Sequence, residues 1–164
     1  MVGLALIFIF LGSSLAYASD KKLGLGIIIG EPTGFTPKYW LSPRTAVDFG
    51  LTYSFGDYFL IYSDYLYHWL GAIPAKERFF KELSLYIGGG GVLFVGSSTA
   101  RADRRGFTNN GVSSIGLGMR IPLGAEWRPK DPPIGVFVEL APGLGIAPAV
   151  YAFLQGGIGM RWYF

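Results

Sequence analysis

Hydrophobic and polar positions alternate with period two over long stretches of the chain. From 115 to 127 the odd positions carry Ile115, Leu117, Met119, Ile121, Leu123, Ala125 and Trp127, and the even ones Gly116, Gly118, Arg120, Pro122, Gly124 and Glu126. From 134 to 148 the parity is reversed: Ile134, Val136, Val138, Leu140, Leu144 and Ile146 alternate with Gly135, Phe137, Glu139, Ala141, Gly143 and Gly145. Successive side chains of a strand point to opposite faces, whereas a 3.6-residue period would scatter these charges around a helix. The same alternation recurs at 23–29, 46–55, 58–69 and 154–164. Turn signals at 31–34, 42–44, 56–57 and 128–133 separate the runs. The pattern predicts eight strands, near 22–30, 34–42, 45–56, 58–70, 82–96, 112–127, 134–146 and 150–164.

Two later stretches without charge, 83–100 and 140–160, have the length of a spanning helix, but their content opposes one. The first holds Gly88-Gly89-Gly90-Gly91, and the second holds Pro142, Pro148 and five glycines. Each interior glycine costs a helix about 1 kcal/mol relative to alanine. Strands therefore do the spanning. A soluble barrel would bury its apolar face. Here that face runs along every strand, and the other is glycine plus nearly every charged strand residue. The consistent arrangement turns apolar side chains to lipid and the glycine-rich, charged face to the lumen. It must close, because an open edge in hydrocarbon leaves unpaired backbone groups at several kcal/mol each. The expected fold is all-β: an eight-stranded antiparallel up-and-down transmembrane β-barrel. Tyr65, Tyr67, Trp69, Trp127, Trp162 and Phe164 near strand ends fit an interfacial girdle.

Composition narrows the function classes. The 164 residues are 51% hydrophobic and 15% charged, so disorder is excluded. There is no cysteine and one histidine, which removes thiol chemistry and multi-histidine metal sites. No cofactor is expected. A net charge of +3 is too small and scattered for nucleic acid. Residues 4–11 form an apolar run of signal-peptide length, and Ala16-Tyr17-Ala18 is a small-x-small cleavage site, although no basic segment precedes the run. The expected division is a cleaved signal peptide at 1–18 and a barrel at 19–164.

These residues carry a resemblance. The chain resembles small bacterial outer-membrane barrels of the eight-stranded OmpA/OmpX type. The final Phe164, with Trp162 and Met160 on the same face, is similar to the signal read by the barrel-assembly machinery. Gly30-Glu31-Pro32-Thr33-Gly34, followed by Lys38-Tyr39-Trp40 and Asp48-Phe49-Gly50, resembles an uncharacterised family of such barrels. The resemblance implies fold, outer-membrane location and contact with outer-membrane lipids, but no activity. With both chain ends in the periplasm, the outer connections are 31–33, 57, 97–111 and 147–149. Only one is long, which argues against an adhesin. A monomer is expected.

The lumen of an eight-stranded barrel is just wide enough for side chains to fill. Parity sends Lys38, Asp48, Asp64, Arg120, Glu139 and Arg161 inward, with His68 and Glu126 near a lumen rim. Hairpin arithmetic sets Lys38 opposite Asp48, Asp64 opposite Gly50, and Glu139 within two residues of both Arg120 and Arg161. The six charges are expected to form one neutral network that plugs the lumen. The rival is a narrow pore for small ions or solutes gated by it. Catalysis is disfavoured because no substrate reaches such carboxylates. A lipid-modifying barrel enzyme would need a His–Ser pair reachable from lipid, and parity puts His68 inside and Ser63 outside. Arg101, Arg104 and Arg105 in the long outer loop match lipopolysaccharide phosphates in chemistry, although a loop that is simply solvated and basic is the favoured reading. Gly88–Gly91 lacks a phosphate-loop ending; it is expected to let the wall bend or to make room for Trp40, Tyr86 and Phe137. Residues 74–82 suggest one amphipathic turn. The expected role is structural or surface-interactive in the envelope.

Overall fold

A computed structural model describes residues 21–56, 58–71, 77–96, 114–129 and 131–164. The expected signal peptide at 1–18 lies outside them. Ten strand segments run in chain order: β1 (Leu23–Glu31), β2 (Thr33–Phe35), β3 (Lys38–Trp40), β4 (Thr45–Ser54), β5 (Tyr58–Leu70), β6 (Leu83–Gly96), β7 (Ser114–Arg120), β8 (Leu123–Trp127), β9 (Ile134–Ala147) and β10 (Tyr151–Tyr163). They make eight wall strands. Pro37 interrupts β2–β3 and Pro122 interrupts β7–β8, because proline offers no N–H to the ladder. Every neighbouring pair is antiparallel, and β1 pairs with β10, so the sheet closes on itself.

The faces follow the parity of the sequence. Leu117, Val138 and Ile158 stand on the outer wall at 54%, 49% and 63% exposure. Lys38, Asp48, Asp64, His68, Arg120, Glu126, Glu139 and Arg161 are all buried in the interior. The outer wall ends in rings: Tyr39, Tyr65, Trp69, Trp162 and Phe164 at the end where β1 begins and β10 finishes, and Tyr53, Phe55 and Phe59 at the far end. Trp127 is half-buried, because Phe79 stacks on it at 5.8 Å. Phe79 belongs to α1 (Arg78–Glu82), the one helix among the described residues, at the position of the expected amphipathic turn.

Inward rings are accommodated by glycines directly across the ladder. Tyr62 faces Gly50, Tyr86 faces Gly124, Phe137 faces Gly159 and Tyr163 faces Gly24; Tyr151 and Phe153 face Gly145 and Gly143. A Cβ at Gly50 would stand 2.0 Å from the Tyr62 ring. The glycine run at 88–91 has another job than the expected ring clearance: Gly88 clears Leu66 and Gly90 clears Asp64, while Gly89 faces open space. At the far end, connections are very short at Pro32 and at 148–150. Thr33 Oγ1 closes the first, accepting from Gly30 N at 3.0 Å and donating to Gly30 O at 2.9 Å. Glu31 accepts from Ser54 Oγ and from Phe55 N, the latter at 3.0 Å, clamping the next turn.

Candidate functional site

The interior is layered along its axis. Nearest the far end lies an apolar layer of Tyr58, Leu60, Tyr62, Val92 and Phe94, with Tyr151 and Phe153 packed on it. Phe94 meets Phe153 edge-on at 5.3 Å and Tyr58 at 5.8 Å. Below it, Arg120 from β7 lies over the Tyr62 ring at 4.0 Å. Its Nε is 3.1 Å from Asp64 Oδ2 on β5, its Nη2 pairs with Glu139 on β9, and its Nη1 donates to Gln155 Oε1 at 2.7 Å. Tyr86 Oη donates to Glu139 Oε2 at 2.9 Å.

The next layer joins the last wall strand to β4. Arg161 Nη2 donates to Asp48 Oδ2 at 2.6 Å and to Thr36 Oγ1 at 2.6 Å, while Nε donates to Thr36 O at 3.1 Å. Thr36 Oγ1 donates in turn to Asp48 Oδ1 at 3.1 Å. The guanidinium rests on Phe137 at 3.8 Å. Nearer the termini, Lys38 pairs with Glu126 and lies 2.9 Å from His68 Nε2. Tyr163 Oη also donates to Glu126. His68 sits between the rings of Trp40 and Tyr86, at 4.5 and 5.1 Å. Each charge thus meets an opposite charge, as removal from water demands.

Lys38 lies opposite Asp48 in the ladder, as the hairpin arithmetic expects. Asp64 lies opposite Asp48 and not Gly50, because the turn after β4 is centred one residue earlier than expected. The two carboxylates repel in that register, and each is held by a different arginine. Glu139 faces Gly124 and Gly157, four residues from Arg120 and from Arg161 in the ladder. Arg120 still spans that gap; Arg161 does not, and turns to Asp48. His68 and Glu126, expected near a lumen rim, are fully buried in the network layer nearest that end. With Glu126 inside, three cations meet four carboxylates, so the expected neutrality of six charges gives way to one excess carboxylate. Thr36, Gln155 and Tyr163 complete the network without having been singled out, although all share the inward parity, and Tyr86, expected only as an inward ring, joins it through its hydroxyl. Ser63 is exposed on the outer wall, away from His68. Arg101, Arg104 and Arg105 lie outside the described residues. No metal-holding group of carboxylates and histidine occurs among the described residues.

The model of the family described as "Protein of unknown function (DUF3996)" matches residues 16–164. The chain belongs to this family. No curated protein matches the DUF3996 chain. The crystal structure of the N-terminal β-barrel domain of Pseudomonas aeruginosa OprF is similar, with a TM-score of 0.63 at 13% identity, covering 88% of this chain and 98% of that one. Neisserial surface protein A matches with a TM-score of 0.46 at 14% identity, covering 87% and 94%. The first of these supports the closed-barrel fold of the DUF3996 chain; the charged layers are read from its own residues.

Proposed function

We propose that this chain is an outer-membrane barrel whose lumen is closed by its own side chains, and that its role in the envelope is structural or surface-interactive. One observation carries the reading: the outer wall is apolar on every strand while the ion pairs are buried inside. That is the inverse of a water-soluble barrel and fits a hydrocarbon surround. The exposed row of Met160, Trp162 and Phe164 at the chain end supports recognition by the barrel-assembly machinery, with outer-membrane lipids as the other contact. The cleaved leader is part of this proposal.

The rival is a narrow pore. The layer of Tyr58, Leu60, Tyr62, Val92 and Phe94 opposes it, since ions would have to cross a section packed with rings and aliphatic side chains, where the buried polar neighbours Thr52 and Ser54 carry no charge. Enzymatic action on lipid is opposed by the opposite faces of His68 and Ser63. Planar-bilayer recording of the refolded barrel tests the proposal. A silent bilayer is expected; steady unitary openings would overturn closure in favour of the pore.

A further inference from the structure

At the end where β1 begins and β10 finishes, the interior does not finish flush with the wall. A cavity of ≈ 870 Å³ opens above the last network layer, within the size range of small-molecule sites, roughly 300–1,000 Å³. Lys21, Lys22, Lys81 and Arg128 line it, against one carboxylate, Glu82. These cations come from the segment leading into β1, from α1 and from the connection after β8, so the fold assembles them from three separate segments. Among the described residues, no carboxylate pairs with Lys21, Lys22, Lys81 or Arg128.

Arg128 is held in place. Its guanidinium lies 4.2 Å over Trp40 and 5.4 Å from Tyr163, the two rings that floor the cavity. Its backbone N donates to Glu82 O at 3.0 Å, fixing the connection to α1. The backbone of Lys22 is anchored as well, its carbonyl accepting from Trp40 N at 2.9 Å, while its side chain stays exposed. Gathering like charges without partners disfavours the empty state, and an anion relieves it. A fixed guanidinium offers paired donors and the lysines offer mobile point charges, which suits a phosphate group with several oxygens. Leu41, on the outward parity of Tyr39, also lines the cavity and is half exposed, as is Leu70 at the end of β5. A phosphate here is therefore reachable from solution or from a lipid headgroup whose chains follow the wall.

We propose that this basic mouth is a phosphate-binding site. The proposal goes beyond the closed-lumen reading and does not rest on it, since the cavity lies outside the ion-pair layers. Two arms test it on the barrel refolded in uncharged detergent or in phosphatidylcholine nanodiscs. The first titrates inorganic phosphate and glycerol phosphate calorimetrically at constant ionic strength. The second reads phosphatidylglycerol retention in mixed nanodiscs by native mass spectrometry. Saturable binding of the soluble probes, or selective retention of phosphatidylglycerol, bears the proposal out, and the responding arm identifies the source. Arg128→Gln, and separately the pair Lys22→Gln with Lys81→Gln, should each weaken the response roughly tenfold, the scale of one lost charge-assisted contact. The lysine pair leaves the Trp40 stack intact, so it reports on binding even if Arg128→Gln impairs folding. Failure of both arms, an equal response to chloride, or unchanged affinity in the folded lysine variant would overturn it.

Discussion

Arg161 on the last wall strand and Asp48 on β4 form a buried ion pair, Nη2 to Oδ2 at 2.6 Å, across the two wall strands that separate them. The pair therefore ties the closing seam of the barrel to strands formed earlier in the chain. Thr36 lies between the two partners and bonds both, so the bridge has a third support on β2–β3's break.

Removing either partner strands the other in a site closed to water. Arg161→Ala and Asp48→Ala are each expected to destabilise the folded barrel by about 3–5 kcal/mol. Urea unfolding followed by the gel shift between folded and unfolded forms measures it. The double change to leucines should recover much of that loss; a double variant as unstable as the sum of the singles would show that the two residues are not energetically coupled and would refute the pair.

Arg120 serves two carboxylates, Asp64 and Glu139, whereas Glu139 loses one arginine and keeps Tyr86. Arg120→Ala should consequently lower stability more than Glu139→Ala, by roughly 1–3 kcal/mol, the added cost of a second unsatisfied buried group. Equal unfolding midpoints with unchanged slopes would refute the division of labour, and no loss in either variant would remove the network from the account.

Ring–glycine packing makes a steric prediction. Gly50→Ala places a Cβ 2.0 Å from the Tyr62 ring and must displace it, at about 1–3 kcal/mol for overpacking. Gly89→Ala meets nothing within 4 Å and should stay within about 0.5 kcal/mol of the parent. Comparing the two unfolding midpoints checks the claim, with Gly50→Ala required to be the lower.

The outward face predicts a depth-dependent penalty. Leu117→Arg lies inside the apolar band and Leu23→Arg at its edge, at the first residue of β1. In lipid vesicles the first should cost about 2–4 kcal/mol and the second about 0–1 kcal/mol. Equal, small costs would mean that the wall does not face hydrocarbon.

The sequence by itself determined which side chains face in and which face out along the described strands. A strand alternates faces residue by residue, so parity is a local property that no distant contact can reverse without breaking the ladder. It also determined the Lys38–Asp48 register, because a short connection leaves little freedom there. Only the tertiary structure decided who meets whom in the lumen. One residue of difference in the turn after β4 moved Asp64 from Gly50 to Asp48. The longer 128–133 connection moved Glu139 four residues from Arg120, and closure of β1 on β10 brought Arg161 to Asp48 and Tyr163 to Glu126. Those partners depend on the stagger of the whole ring and on long side chains that reach past their ladder neighbours, and neither is written in any one strand.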